Sequence, residues 1–293
     1  MSDQMTSAPP IPSVNFHLWR PCNMRCRFCF ATFQDLSSDV LPKGHLPKAA
    51  GLMLVDRLAD AGFKKINFAG GEPTLCPWLD DLIRAAHRQG MATSIVTNGS
   101  FLTPEWLDQM ADALDWIGLS IDTLAPDTAQ EMGRVARGGP ISRSEHEKNA
   151  KAIRKREMRL KINTVVTTAN KDEDLSGFLR VACPERWKIF QVLPVEGQND
   201  GHVESLLVTD ATFRQYVERH AGLEDNGIRV VAEDNTAMTG SYAMVDPAGR
   251  FFDNTAGKHT YSRPILDVGV RTALEDVSVL PERFKDRGGR YDW

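Results

Sequence analysis

Cysteine is scarce in this chain. Five residues in 293, an odd number, argue against a scaffold built on paired disulfides. Long apolar runs are missing as well: no segment approaches the roughly 18 residues of a membrane span, and no hydrophobic signal segment stands near the start. Charge of one sign is lacking, since 35 basic and 39 acidic residues leave a net −4. No overall field therefore draws in a nucleic-acid polymer or an anionic membrane, and any anion site must be local. Internal repeats and low-complexity tracts are absent. The composition that remains, 42% hydrophobic and 25% charged, is that of an ordinary globular chain. Free thiols point to a reducing, cytoplasmic setting. Residues 1–12, with Ala8-Pro9-Pro10-Ile11-Pro12, read as a flexible leader.

From residue 13 strand and helix patterns alternate. Apolar runs at 14–19, 65–69, 93–97, 116–121, 160–166 and 187–193 read as strands. Helical patterns fill 47–61, 78–89, 104–114, 145–157 and 175–182, with Gly62 and Gly90 as stops and Thr103-Pro104 as cap and first turn. The arginine- and glycine-rich stretch 133–144 reads as a loop. Such alternation predicts an α/β fold with a parallel sheet and crossover helices over residues 13–194. After Pro194 the pattern stops. A helix at 210–221, a strand at 228–233, a hairpin at 242–245 and 250–253, and a helix at 271–277 suggest an α+β extension over 195–293 that caps the site.

Three of the five cysteines fall within Pro21-Cys22-Asn23-Met24-Arg25-Cys26-Arg27-Phe28-Cys29-Phe30. The C-x-x-x-C-x-x-C spacing turns three soft thiolates toward one point, a donor set suited to an iron–sulfur cluster. Cys76 and Cys183 lie far downstream, so one iron would be left open. Zinc is the alternative, but structural zinc prefers four ligands at paired spacings. A second motif, Gly70-Gly71-Glu72-Pro73, follows a strand. Glycines there let a backbone approach a ligand, and the glutamate can accept from an ammonium; the plain alternative is a turn.

Strand side chains alternate faces. Asn15 and His17 lie opposite Phe16 and Leu18; Lys65 and Asn67 opposite Ile66 and Phe68; Lys161 and Asn163 opposite Ile162; Arg186 and Lys188 opposite Trp187. Helices cover the outside of a parallel barrel, so the polar set points into the lumen. Four cations with no acidic residue at matching strand positions suggest a polyanion such as a triphosphate, against the plainer reading of solvated strand ends. His17 by itself reads as a structural hydrogen-bonding residue.

The cysteine spacing, with Phe28 before the third thiol, and the glycine–glutamate motif resemble those of the radical S-adenosylmethionine (SAM) enzymes. That resemblance implies a partial (β/α)6 TIM-like barrel, a [4Fe-4S] cluster on Cys22, Cys26 and Cys29, and SAM on the open iron. It implies chemistry at the C-terminal strand ends, where Cys22, Glu72, Asn98 and Asp122 fall. Within that superfamily Val14-Asn15-Phe16-His17, Lys65-Ile66-Asn67-Phe68, Ser94-Ile95-Val96-Thr97-Asn98-Gly99-Ser100, Lys161-Ile162-Asn163, Arg186-Trp187-Lys188-Ile189-Phe190-Gln191, Ile265-Leu266-Asp267-Val268-Gly269-Val270 and Arg287-Gly288-Gly289 resemble the viperin family. The likeness implies conversion of a ribonucleoside triphosphate (CTP, UTP or GTP) to its 3′-deoxy-3′,4′-didehydro analogue, an antiviral chain terminator.

By the same resemblance Gly70, Gly71, Glu72, Asn98, Ser120, Asp122 and Arg134 would meet SAM, with Arg137 as rival to Arg134. Asn15, Lys65, Asn67, Lys161, Asn163, Arg186 and Lys188 would hold the nucleotide, with Lys258 as a further phosphate contact. Tyr242 would stand near the sugar as proton or hydrogen donor, or simply be a core tyrosine. A reductant protein would feed the cluster. The stretch 253–258 lacks a cysteine found in vertebrate viperins and no amphipathic membrane helix is present, which suits a prokaryotic type and leaves the base open. The rivals are a radical SAM enzyme for a peptide or another small molecule, for which auxiliary-cluster cysteines are missing, and a non-catalytic nucleotide-binding module.

Overall fold

The computed structural model describes residues 8–293. Its strands are β1 (Ser13–Trp19), β2 (Lys65–Gly70), β3 (Ala92–Thr97), β4 (Trp116–Ser120), β5 (Arg159–Val166), β6 (Arg186–Gln191), β7 (Arg229–Glu233), β8 (Ala243–Val245), β9 (Arg250–Asp253) and β10 (Thr260–Pro264). Helices α1 (Lys48–Asp60), α2 (Leu79–Arg88), α3 (Pro104–Met110), α4 (Pro126–Glu131), α5 (Arg143–Arg154), α6 (Ser176–Ala182) and α7 (Asp210–Arg219) make the crossovers. Four short helices follow: α8 (Asn235–Met238), α9 (Ile265–Val268), α10 (Val270–Glu275) and α11 (Pro281–Asp286).

All strands join one ten-stranded sheet in the order β10-β9-β8-β1-β2-β3-β4-β5-β6-β7, a TIM-like partial barrel. β1 to β7 are parallel to their neighbours. The apolar strand face turns outward: Phe16, Ile66, Phe68, Ile95, Ile117, Ile162 and Trp187 are buried against Leu54, Leu58, Leu82, Ile83, Ile153 and Leu179 of the helices. Each such side chain contributes about 1.5–3 kcal/mol on burial, which fixes which face looks inward. Helix starts follow local capping chemistry. Thr103 accepts from Trp106 N ahead of Pro104, and Ser142 and Glu145 close a capping box on α5.

Three sequence expectations change. The alternation does not stop at Pro194, because α7 returns the chain to β7, which pairs parallel with β6. The last third also supplies β8, parallel to β1 at the other edge, so the extension continues the sheet instead of only covering it. The sequence reading missed α4, α8, α9, α11 and β10. The last of these ends on a proline and keeps Thr260, Arg263 and Pro264 exposed, as an edge strand can. The supposed leader is also partly fixed: Ile11 is buried, and the Pro12 carbonyl accepts from Lys64 N and Lys65 N at 2.8 and 3.2 Å. Residues 1–7 lie outside the described chain. Among the described residues no helix is long and apolar enough to cross a membrane.

Candidate active site

The cysteine loop leaves the C-terminal end of β1 and is clamped between two glycines. Gly71 N donates to Trp19 O at 2.5 Å and Glu72 N to Pro21 O at 3.0 Å. A Cβ on Gly71 would fall 2.3 Å from the Arg20 and Pro21 carbonyl oxygens, and one on Gly70 2.3 Å from Trp19 O. Opposite, Gly133 has φ +72° and a Cβ there would meet Arg25 O at 2.1 Å. What the absent side chains of Gly70 and Gly71 leave room for is the backbone of the cysteine loop.

Glu72 is also engaged by the chain itself. Its Oε1 accepts from Thr74 N, Thr74 Oγ1 and Thr97 Oγ1 at 3.1, 2.6 and 2.6 Å, and its Oε2 accepts from Asn98 N at 2.8 Å. Asn98 Nδ2 in turn donates to Asn23 Oδ1 at 2.8 Å, joining β3 to the cysteine loop. The carboxylate organises the rim, with one lone-pair direction on Oε2 left for an ammonium.

Arg134 closes the other side. Its guanidinium reaches Cys26 Sγ at 3.5 Å and Asp122 Oδ2 at 2.8 Å, and donates to the Ser120 carbonyl. Asp122 also accepts from Val165 N at 2.7 Å, and its burial raises its carboxyl above the ordinary range against the pull of Arg134. Arg137 is exposed. His146, absent from the sequence expectations, lines the same hollow as Asp122 and Arg134, with a buried Nδ1 that has no partner. Burial pushes the Cys29 thiol up to about 12 and raises Cys22 too.

Among the described residues no three His, Cys, Asp or Glu side chains already converge to metal-ligand spacing. The fit to a cluster rests on the donor set: three soft thiols on one clamped loop beside a guanidinium, with Cys76 and Cys183 elsewhere. A bound cluster would supply the charge that holds these thiols as thiolates.

The lumen-facing set converges at the opposite half of the barrel. Asn15, Lys65, Asn67, Lys161, Arg186 and Lys188, each at the first or third position of its strand, line one cavity. The register sets Asn15 beside Asn67, Lys161 beside Arg186 and Asn163 beside Lys188. Gly118 makes room, since a Cβ there would stand 3.1 Å from Lys161 Cε. Buried Asn67 Oδ1, Asn163 Oδ1 and Arg186 Nε have no partner, as expected of groups shaped for a ligand. Burial, then the neighbouring cations, lowers Lys65 to about 6. Lys188 falls to about 7 and Lys161 to about 8, again chiefly through burial, with Glu233 opposing.

The chain's last residues close this end. Lys65 Nζ donates to the Tyr291 hydroxyl at 2.5 Å, the Arg186 guanidinium lies 3.9 Å from the Tyr291 ring, and Arg186 Nη2 donates to Gly288 O at 3.1 Å. Tyr242, Phe284, Arg287 and Trp293 are also in the lining. Tyr242 donates its hydroxyl proton to Glu233 and accepts from Lys188 Nζ at 2.8 Å. Among the described residues no acid lines the cavity, but one that the sequence reading did not place, Glu233 at the end of β7, lies behind its wall. Arg287 was visible only as a motif, and the tail aromatics carried no sequence signal. His17 sits in an aromatic cage of Phe30, Phe33 and Phe252, its pKa lowered to about 3 by burial. Lys258 is exposed and takes no part in the lining.

Comparison with known proteins agrees with this geometry. The family model of the radical SAM superfamily matches residues 18–182, more than half of the chain. A protein of Flammeovirga pacifica named S-adenosylmethionine-dependent nucleotide dehydratase is 52% identical over 283 residues, 97% of this chain and 96% of that protein. The S-adenosylmethionine-dependent nucleotide dehydratase RSAD2 of Oncorhynchus mykiss is 36% identical over 301 residues, covering 98% and 82% of the two chains. The crystal structure of Streptococcus suis SuiB bound to S-adenosylmethionine superposes with a TM-score of 0.65 at 17% identity, over 82% of this chain and 59% of that one, a likeness of fold.

Proposed function

This chain belongs to the radical SAM superfamily and, within it, to the S-adenosylmethionine-dependent nucleotide dehydratases of the viperin family, and on that premise we propose that it dehydrates a ribonucleoside triphosphate to the 3′-deoxy-3′,4′-didehydro analogue. The observation that carries the proposal is the cavity of lysines, arginines and asparagines below the cysteine loop. Its cations, poorly compensated when empty, suit a triphosphate. Partnerless Asn67 Oδ1 and Asn163 Oδ1 suit ribose hydroxyl donors.

Cys22, Cys26 and Cys29 would hold the [4Fe-4S] cluster, and Glu72, Asn98, Ser120, Asp122 and Arg134 the SAM, with Gly70 and Gly71 clamping the loop beneath it. When bound, cluster and SAM supply a 5′-deoxyadenosyl radical for abstraction of the C4′ hydrogen. The protein's own contribution is placement. Lys65, Lys161, Arg186 and Lys188 anchor the phosphates in the N-terminal half of the barrel. From Asn15 to Trp19 at the end of β1 is four residues, about 13 Å at the usual strand rise. Phosphates fixed at the lower level leave the sugar between cradle and loop, and the closed tail keeps water away from it.

The departing 3′-hydroxyl needs a proton. Tyr242 lines the cavity and fits that need: its hydroxyl can turn its proton from Glu233 to the leaving group and take one back from Lys188 Nζ, which already donates to it. Residues 13–194 act in this reading as the catalytic barrel and 195–293 as the part that completes and closes the cradle. A low-potential reductant protein would supply the electrons. The test is product identification by mass spectrometry after anaerobic turnover of an equimolar mixture of the four nucleoside triphosphates. One triphosphate lighter by one water is expected; none altered, with SAM cleavage unstimulated, would refute the proposal.

A further inference from the structure

One carboxylate stands behind the wall of the cradle. Glu233 is fully buried and does not itself line the cavity. It touches three side chains that do, each from a different element. Lys188 Nζ of β6 is 2.5 Å from its Oε1, and Arg287 Nη1, just past α11, is 3.4 Å from the same atom. Tyr242, just before β8, donates its hydroxyl to Oε2. Lys188 Nζ also meets the Tyr242 hydroxyl at 2.8 Å, and the Arg287 guanidinium lies 3.6 Å from the Tyr242 ring. Lys161 of β5, Arg186 of β6 and Tyr291 of the tail are the remaining titratable groups that feel this carboxylate. Burial would raise the Glu233 carboxyl, but Lys188 and Arg287 more than offset it and hold the group below its ordinary range.

Removing Glu233 would leave Lys188 and Arg287 facing each other and the other cations with no anion among them. The tyrosine would also lose the carboxylate that accepts its proton. Because Glu233 stays out of the cavity, an incoming phosphate meets it only through the residues it holds.

We propose that Glu233 is a positioning residue of the cradle: it orients Lys188, Tyr242 and Arg287 from behind and cancels part of their charge, so that the attraction for a polyanion is set by what Glu233 leaves uncompensated. This inference rests on the triphosphate reading of the cavity. Under it, the Tyr242 hydroxyl is fixed between Glu233 and Lys188, and the affinity of the cradle is held below what its cations alone would give.

The test is a titration of the full chain with inorganic tripolyphosphate by calorimetry between pH 5.5 and 9, comparing wild type with Glu233→Gln and Glu233→Asp. Glutamine keeps the shape and removes the charge. In the acid limit, where the lysines are protonated in both proteins, Glu233→Gln should bind about tenfold tighter or more. Loss of the carboxylate also lowers Lys188 further, so the weakening of binding with rising pH should begin at lower pH than in wild type. A merely structural role predicts a parallel profile displaced toward weaker binding. That result in a folded Glu233→Gln protein, or an unchanged affinity, overturns the inference.

Aspartate keeps the charge and withdraws it from Tyr242. Glu233→Asp should therefore hold the wild-type affinity within about twofold while its turnover number falls about tenfold or more, and wild-type turnover would overturn the inference even if the glutamine variant fails to fold. Failure of the wild type to bind tripolyphosphate is a different result: it refutes the triphosphate reading itself.

Discussion

Replacing Gly71 by alanine separates two accounts of the glycine–glutamate turn. If the glycine exists to let a ligand approach, an added methyl should weaken SAM binding and leave the cluster alone. The structure says otherwise. The new Cβ would lie 2.3 Å from two carbonyl oxygens, of Arg20 and Pro21, and 2.7 Å from the Pro21 carbonyl carbon, all backbone atoms that cannot swing aside. Overpacking of this kind costs about 1–3 kcal/mol. The loop must also surrender the bonds from Gly71 N to Trp19 O and from Glu72 N to Pro21 O, worth about 1 kcal/mol each.

The sum, about 3–5 kcal/mol, is a large part of a typical folding free energy of about 5–15 kcal/mol. It falls on one loop, so undocking of residues 20–29 is the cheaper response than global unfolding. At 3 kcal/mol the docked loop loses about a hundredfold in population relative to its alternatives. The assay is iron and sulfide per chain after anaerobic reconstitution, beside tripolyphosphate affinity as a check on the other half of the barrel. Gly71→Ala should lose most of its cluster and keep its polyanion affinity. A wild-type iron load with weakened SAM binding would refute the clamp.

Further outcomes follow from the same geometry. Lys65, Lys188 and Lys161 are lowered to about 6, 7 and 8, so the empty cradle holds fewer protons than the bound one; nucleotide binding should take up protons and weaken as pH rises through this range. Calorimetry in two buffers of different ionisation heat checks this, and zero uptake at pH 7 would contradict it. The unfolded chain carries those lysines near the ordinary 10.5, so from pH 6 they make stability climb with pH until about 9, where the buried Cys22, Cys29 and Cys76 thiols begin to oppose them; urea midpoints between pH 6 and 9 check this, and a falling midpoint would contradict it. Arg134→Gln leaves the buried Asp122 carboxylate without its cation, a loss of about 3–5 kcal/mol that should appear as a lower melting temperature together with weaker SAM binding; unchanged melting would show the pair to be dispensable. Gly118→Val invades the space beside Lys161 Cε, so tripolyphosphate affinity should fall about tenfold with cluster content intact.

Much of the barrel is readable because each strand from β1 to β6 carries a mainly apolar face, and that face has to meet the helices. Its reverse then has to look inward, which puts Lys65, Asn67, Lys161, Arg186 and Lys188 in one lumen on pattern alone. What stayed hidden depends on pairing between distant segments. Three residues, Ala243–Val245, give no local hint that they will lie beside β1 from the start of the chain. With β7 unplaced, Glu233 was an acid at the end of a stray strand. Tyr291 and Trp293 matter only because the tail doubles back onto Lys65 and Arg186. Gly70 and Gly71 were recognised as special, yet their reason is a clash with the chain's own carbonyls, which sequence cannot display.

The most direct measurement uses nucleoside triphosphates carrying deuterium at C4′, incubated anaerobically with reconstituted enzyme, SAM and reductant. If the cradle anchors the phosphates so that the sugar lies beneath the cysteine loop, deuterium should appear in 5′-deoxyadenosine as one triphosphate loses water. 5′-Deoxyadenosine formed at the same slow rate with and without nucleotide, and free of deuterium, would contradict it.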